Sequence, residues 1–331
     1  MSEYRKDPVL NQWVIIAPEK TISYPAIKEQ AIPENLPEFD ENCPFCKFNG
    51  EDTKILLKYD FRNNGKWDLL VIPAPNPFLR VETELQKEGE GIFDLMSGTG
   101  ANEIIIESPK HNEFTYKMDL NRVEQIFWAY HDRIVDLKND KRLEYLLFFK
   151  EFGITPENKI IHPHSKMIAT TFIPAHIELE LLSAEDYFSY KDRCVFCDIV
   201  KQERKEGIRV ISQNEDFISI CPYASRFPFE IWILPQKHIS HFEMSSKIMF
   251  YHLAEIYLDT FKRLNKVLGN VPYHTVLHTS PVQEESLEFY HWHIEIYPIL
   301  NCYSAPQSGG GIFVNPVKPE DAAKALREAT F

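Results

Sequence analysis

One spacing occurs twice in this chain. Cys43-Pro44-Phe45-Cys46 is followed by His111 and then by His162-Pro163-His164; Cys194-Val195-Phe196-Cys197 is followed by His238 and then by His291-Trp292-His293. Equivalent cysteines lie 151 residues apart, His111 and His238 lie 127 apart, and both members of the H-x-H pairs lie 129 apart. Chance does not bring four metal-type positions into step twice, so the chain reads as a duplicated unit. Each copy runs C-x-x-C, strands, a strand ending in histidine, an amphipathic helix, a strand, and a strand bearing H-x-H. In the first copy the helix carries Val123, Ile126, Phe127, Tyr130, Ile134 and Leu137 at spacings of three and four. Its counterpart starts near Ser245. With 331 residues there is room for two domains, placed at 1–185 and 186–331.

The residue types define the chemistry. Cys43, Cys46, His111 and His162 form one Cys₂His₂ set; Cys194, Cys197, His238 and His291 form another. Zinc accepts such a set tetrahedrally with no position left for water, so two structural zinc ions are expected. A lone C-x-x-C pair also suits a redox couple, but a redox couple needs no partner histidines. His241 is an alternative to His238, and the match of Pro109-Lys110-His111 to Gln236-Lys237-His238 favours His238. The other two cysteines, Cys221 and Cys302, stand alone. The start MSEYRKDPVLNQWVIIAPEK has no basic-then-apolar leader, and no uncharged span approaches eighteen residues, which points to the cytoplasm and to no membrane. A formal charge of −13 gives no field for nucleic acid, so any phosphate must be held locally.

The stretch KIIHPHSKMIATTFIP reads as one strand in which His162 and His164 point to the same face. If His162 is tied to a closed metal site, the metal cannot polarise a substrate; it stiffens the strand that presents His164 as a nucleophile. His293, the counterpart of His164, is followed by Glu295 and Tyr297 and reads as structural. Residues 4–18 read as a strand with a packed Trp13, and a segment with Pro25, Pro33 and Pro37 leads to Cys43.

Several long stretches carry a family resemblance: RKDPV, CPFC, NPF, GANEIIIESPKH, HPHS, CVFC, SRFPFEIWILPQKH, VLHTSP, YHWHIEIYP and NPVKPEDAAKALRE. Together they make the chain resemble the galactose-1-phosphate uridylyltransferase family, the double-domain branch of the histidine-triad superfamily. The resemblance implies an α+β fold of two tandem histidine-triad-like half-domains, each an antiparallel sheet with a packed helix, and a homodimer. It implies that His164 forms a covalent nucleotidyl-histidine, that Asn76 approaches the nucleoside, and that Cys43, Cys46, His111 and His162 hold zinc. Glu180, His278 and His293 match three ligands of another metal found in some members, with Glu295 in place of a histidine.

The departures fall on substrate contacts. Lys166 stands where the family usually has a glutamine that steadies the α-phosphate, beside Ser165. Phe149-Lys150-Glu151 replaces FKN, Glu157-Asn158-Lys159 replaces small residues, Pro306 and Gln307 replace hexose contacts, and a basic pair is reduced to Lys20 with Tyr24. The expected substrates are a nucleotide sugar and a sugar 1-phosphate or phosphate. UDP-glucose:hexose-1-phosphate uridylyl transfer is the first expectation and ADP-sugar phosphorolysis the alternative, favoured to the extent that Lys150, Lys159 and Lys166 add positive charge near the nucleophile. A non-catalytic zinc scaffold is the alternative from another class.

Overall fold

The computed structural model describes residues 1–20, 31–48, 54–61, 65–153, 160–300 and 305–331. Tyr24, Pro25, Glu157, Asn158, Lys159 and Cys302 lie outside the described residues.

In chain order the elements are β1 (Glu3–Lys6), β2 (Trp13–Ile16), β3 (Leu57–Tyr59), β4 (Leu69–Pro73), β5 (Lys87–Glu90), β6 (Phe93–Met96), β7 (Ala101–Ile106), α1 (Leu120–Leu137), β8 (Tyr145–Phe152) and β9 (His164–Thr170). The second copy follows as α2 (Ala175–Lys191), α3 (Val195–Glu206), β10 (Val210–Gln213), β11 (Phe217–Ile220), β12 (Ile231–Pro235), α4 (Lys247–Leu268), β13 (Tyr273–His278) and β14 (His293–Pro298). The chain ends with α5 (Ala305–Gly310), β15 (Phe313–Asn315) and α6 (Pro319–Arg327).

The duplication is visible in the sheet. Ten strands pair in the order β10-β11-β12-β14-β13-β8-β9-β7-β4-β3, every pair antiparallel. Read outward from the β8/β13 seam, both halves give the same order of equivalent strands. The two expected sheets are therefore one, joined by a register that sets Phe149 opposite Val276 and Glu151 opposite His274. At the end of β8, Gly153 has φ +102°, and a Cβ there would come within 2.7 Å of Pro272 just before β13; only glycine lets the two halves approach so closely.

Strand alternation sorts the two faces. Leu146, Phe148 and Phe152 of β8, Met167 and Ala169 of β9, and Leu277 and Ile294 from the second half face a single core shared with α1 and α4. Helix α1 begins where the Asp119 side chain accepts from the Arg122 amide at 2.8 Å, and its apolar stripe lies on the sheet, with Tyr130 stacked on Phe148 at 4.6 Å. The core continues without interruption from one half to the other. The opposite face is covered by the Cys43–Cys46 loop in the first half and by α2, α3 and the N-terminal turn in the second.

Several elements differ from the sequence expectation. The strand of residues 4–18 is a hairpin, β1 with β2, broken by the turn at residues 7–12, and Trp13 is 58% exposed, because β2 packs through Val14 and Ile16. The H-x-H strand starts at His164, with His162 just before it. Residues 87–96 form a separate hairpin, β5 with β6. Helix α2 has no clear apolar stripe, because its buried positions include Glu180 beside Ile177 and Ala184. Among the described residues, no helix is long and apolar enough to cross a membrane.

Candidate active site and metal centres

Both Cys₂His₂ sets converge. In the first, Cys43, Cys46, His111 and His162 each bring a ligand atom within 4.8 Å of the others; in the second, Cys194, Cys197, His238 and His291 do the same. The sulfur-to-nitrogen distances are 3.7 Å (Cys43 to His162), 3.4 Å (Cys46 to His162) and 3.5 Å (Cys46 to His111), then 3.5 Å (Cys197 to His238) and 3.7 Å (Cys197 to His291). A tetrahedral ion with bonds of about 2.3 Å to sulfur and about 2.0 Å to nitrogen has an S···N edge of about 3.6 Å, so the cages have the right size.

The far side of each ring is also set. His162 Nε2 donates to the Ser108 carbonyl at 2.7 Å, and its counterpart His291 Nε2 donates to the Pro235 carbonyl at 3.0 Å. Each bond places the proton on Nε2 and turns the Nδ1 lone pair toward the thiols, which is how a histidine is oriented for a metal. Burial pushes His162 down to about 4, keeping it neutral. Burial pushes the Cys46 thiol up to about 11, a shift that a divalent cation would reverse.

His164 opens β9 opposite Ile106 of β7, on the face away from the helices. Its Nδ1 donates to the His162 carbonyl at 2.7 Å, so Nε2 carries the lone pair. Burial pushes the ring down to about 3, with Lys166 and Lys150 acting in the same direction, so it is unprotonated at neutral pH. Phe45, from inside the C-x-x-C loop, packs its ring 5.1 Å from His164 and 5.7 Å from His162. The metal loop and the neutral imidazole are thus one packed unit.

The other expected substrate contacts are dispersed. Lys166 shares the face of His164 and is bonded to Glu151 at 2.7 Å. Ser165, opposite Ile105, turns its side chain to the helix side, next to Tyr130. Lys150 also faces the helices, buried against Glu107 and Thr115. Of the three lysines credited with attracting phosphate, Lys150 is therefore on the wrong face and Lys166 is charge-paired. Asn76 is exposed in the turn after β4; Pro73 lies opposite Glu103, and Glu103 opposite Met167, so Asn76 leaves the sheet at the end of β9 remote from His164. Gln307 sits half-buried in α5.

In the second half, His293 repeats the His164 bond, with Nδ1 donating to the His291 carbonyl at 3.2 Å, and Phe196 repeats Phe45 with its ring 5.0 Å from His293. There the likeness ends. Glu180, His278 and His293 form a third group able to hold a metal, separate from the Cys₂His₂ set, so the two candidate arrangements coexist. His278 stacks on His293 at 4.7 Å and faces Glu180 at 2.9 Å and Glu295 at 3.5 Å. Burial opposes a charge on His278, but the two carboxylates outweigh it and push the ring up to about 10. Glu295, where a fourth ligand would stand, accepts from Arg226 at 2.6 Å, and Arg226 is also held by Glu230 at 3.0 Å. Sequence reading missed Arg226, Glu230 and Tyr290, which donates to Glu180 at 2.8 Å; the i, i+4 pair in SRFPFE was the one available signal.

A ten-stranded duplicated sheet that carries a neutral histidine beside a Cys₂His₂ set is the arrangement of a class of transferases that act on nucleotide sugars. The chain belongs to the galactose-1-phosphate uridyl transferase family: residues 1–174 match the pattern of its N-terminal domain and residues 180–301 that of its C-terminal domain. An ADP-glucose phosphorylase of Arabidopsis thaliana is 32% identical over 99% of this chain and 93% of its own length. A galactose-1-phosphate uridylyltransferase of Thermotoga maritima is 25% identical over 99% of this chain and 98% of its own. Among solved structures, that of an Arabidopsis thaliana ADP-glucose phosphorylase with bound ADP-glucose covers 100% of both chains with a TM-score of 0.83 at 30% identity.

Proposed function

We propose that the chain transfers a nucleotidyl group from a nucleotide sugar in two steps through His164. The observation that carries this reading is the state of the His164 ring: neutral, its Nδ1 proton held by the His162 carbonyl, so that Nε2 carries the lone pair. In the first step Nε2 forms a bond to the α-phosphorus while the bond from that phosphorus to the sugar 1-phosphate oxygen breaks, and the sugar 1-phosphate leaves. The Nδ1 hydrogen bond stabilises the positive charge that the ring acquires. In the second step an oxygen of a phosphate acceptor attacks the phosphorus and the imidazole is released. Zinc bound by the two Cys₂His₂ sets would supply rigidity, with Cys43, Cys46, His111 and His162 fixing the start of β9. A cytoplasmic, reducing setting keeps these thiols available as ligands. The division into half-domains 1–185 and 186–331 is part of this proposal, and it falls within α2, the helix that links β9 to the second C-x-x-C.

For the donor we propose an ADP-sugar with phosphate as acceptor. Similarity to the ADP-glucose phosphorylase over 99% of the chain supports it, while the family's name supports uridylyl transfer from UDP-glucose to a hexose 1-phosphate as the second reading. Intact-mass measurement after incubation with ADP-glucose, UDP-glucose and UDP-galactose decides. An AMP-sized adduct that disappears in His164→Ala is expected, a UMP-sized one would transfer the proposal to the second reading, and no adduct with any donor would reject both.

We further propose that two copies associate. The β5/β6 hairpin holds out Ile92, Phe93 and Leu95 at 90%, 71% and 64% exposure, and a lone two-stranded hairpin of this kind needs a partner surface. Light scattering should give twice the chain mass for the wild type and a smaller mass for Phe93→Glu; a monomeric wild type would reject the dimer.

A further inference from the structure

Lys166 and Glu151 are the two charged side chains that share the face of the nucleophile at the seam end of β8 and β9. Lys166 lies two residues from His164, and its backbone partner on β8 is Phe149, which puts Glu151 on the diagonal beside it. The ammonium and carboxylate meet at 2.7 Å, with the side chains 24% and 19% exposed, and the Phe149 ring lies 5.9 Å beneath the ammonium. His164 itself is 3% exposed, and a phosphoryl group that reaches it along this face of β9 passes Lys166. A phosphate arriving there meets a lysine whose charge is already matched. It also meets a carboxylate of its own sign within reach of the same ammonium.

We propose that Glu151 is a positioning residue that governs how strongly Lys166 engages the phosphoryl group, holding the ammonium beside His164 in the free protein and yielding it when phosphate binds. This rests on the nucleotidyl-transfer reading of His164 for its consequence in catalysis, but not for its consequence in binding. Exchange of one anionic partner for another keeps the lysine extended and ordered throughout, so little side-chain entropy is lost on binding. It also limits ground-state affinity, because the phosphate must displace Glu151. A lysine without that partner would bind phosphate more tightly in the ground state and release the product more slowly.

The test uses AMP and inorganic phosphate as probes, titrated calorimetrically into wild type, Glu151→Gln, Lys166→Gln and the double variant. Glu151→Gln should tighten binding by about tenfold at low salt, with the gain narrowing as salt rises, as expected for a partly buried charge. Lys166→Gln, which removes the cation and keeps the carboxylate, should weaken it by a similar factor, and adding Glu151→Gln to Lys166→Gln should recover most of the loss. Unchanged or weaker binding in Glu151→Gln overturns the proposal, as does a double variant no better than Lys166→Gln. In turnover, Glu151→Gln should lower KM and kcat together, a split that simple loss of stability does not produce. If no covalent adduct forms in the wild type with any donor, or if an adduct persists in His164→Ala, the transfer reading fails alone, and the order of the four affinities still decides the role of Glu151.

Discussion

The two halves share a sheet order, a Cys₂His₂ cage, an H-x-H strand and an aromatic wedge, yet they treat the second histidine in opposite ways. His164 has one bond, to a backbone carbonyl, and charged neighbours on its open side in Lys166 and Glu151. His293 makes the same backbone bond but is stacked on His278 and lies 3.8 Å from Glu180, under helices α2 and α3. The scaffold that aims an imidazole is therefore common to both copies. On the proposed reading of His164 as the nucleophile, what separates it from the structural ring is the set of side chains packed on each.

The sharpest way to break this comparison is to remove each ring. His164→Ala should lower kcat by at least about 10⁴-fold, as loss of a nucleophile does, with a smaller fall in the urea midpoint than His293→Ala shows. His293→Ala should do the reverse, costing about 2–4 kcal/mol of stability through lost packing and a disturbed carboxylate network. Equal losses of turnover from both variants would mean that the halves are not specialised as described.

The cages come next in size. Metal analysis should find about two zinc ions per chain, falling to about one in Cys43→Ser and in Cys194→Ser and unchanged in Cys221→Ser. The two losses should differ in consequence, because His162 is bonded into the start of the strand carrying His164, whereas Cys194 braces the covered half. Cys43→Ser should therefore cost turnover beyond its effect on stability, and Cys194→Ser stability alone. Metal content near zero in wild-type protein purified without chelator would remove zinc from the account.

Much of this was legible in the sequence because it was written as spacing. The two cages, the pairing of His162 with His164 and the helix at 120–137 all follow from residue type and period. The side on which Ser165 and Lys150 lie was legible in principle, since period-two alternation from His164 and from Phe148 puts both on the helix face. The seam between β8 and β13 was not, because an antiparallel edge carries no sequence mark beyond its burial on one face. Nor was the Lys166–Glu151 bond, which joins two residues fifteen apart through a register that only the fold supplies. The charge network of Arg226, Glu230, Glu295 and His278 was hidden for a related reason: buried charges break the apolar pattern by which buried positions are recognised.

The smallest effect concerns how the second half is closed. Asp7, in the turn between β1 and β2, accepts from the amides of Val9 at 2.8 Å and Leu10 at 3.3 Å, while Val9 packs with Ala184, Phe196 and Trp232 over the covered face. Burial pushes the Asp7 carboxyl up to about 6, against the opposing pull of its amide bonds and of Arg226. An unfolded aspartate titrates near 3.9, so the folded chain binds this proton more tightly than the unfolded chain does. The stability it contributes is complete below about pH 4 and is lost as pH rises through about 6. Asp7→Asn keeps an oxygen for both amides and removes the buried charge. The variant should therefore exceed the wild type by about 1–3 kcal/mol at pH 7.5, a margin that narrows toward pH 5. Urea midpoints of the two proteins at matched pH give the difference directly, with the metal-linked effects common to both. A margin that does not change with pH would mean that Asp7 is open to water, and that the covered half is sealed by α2 and α3 alone.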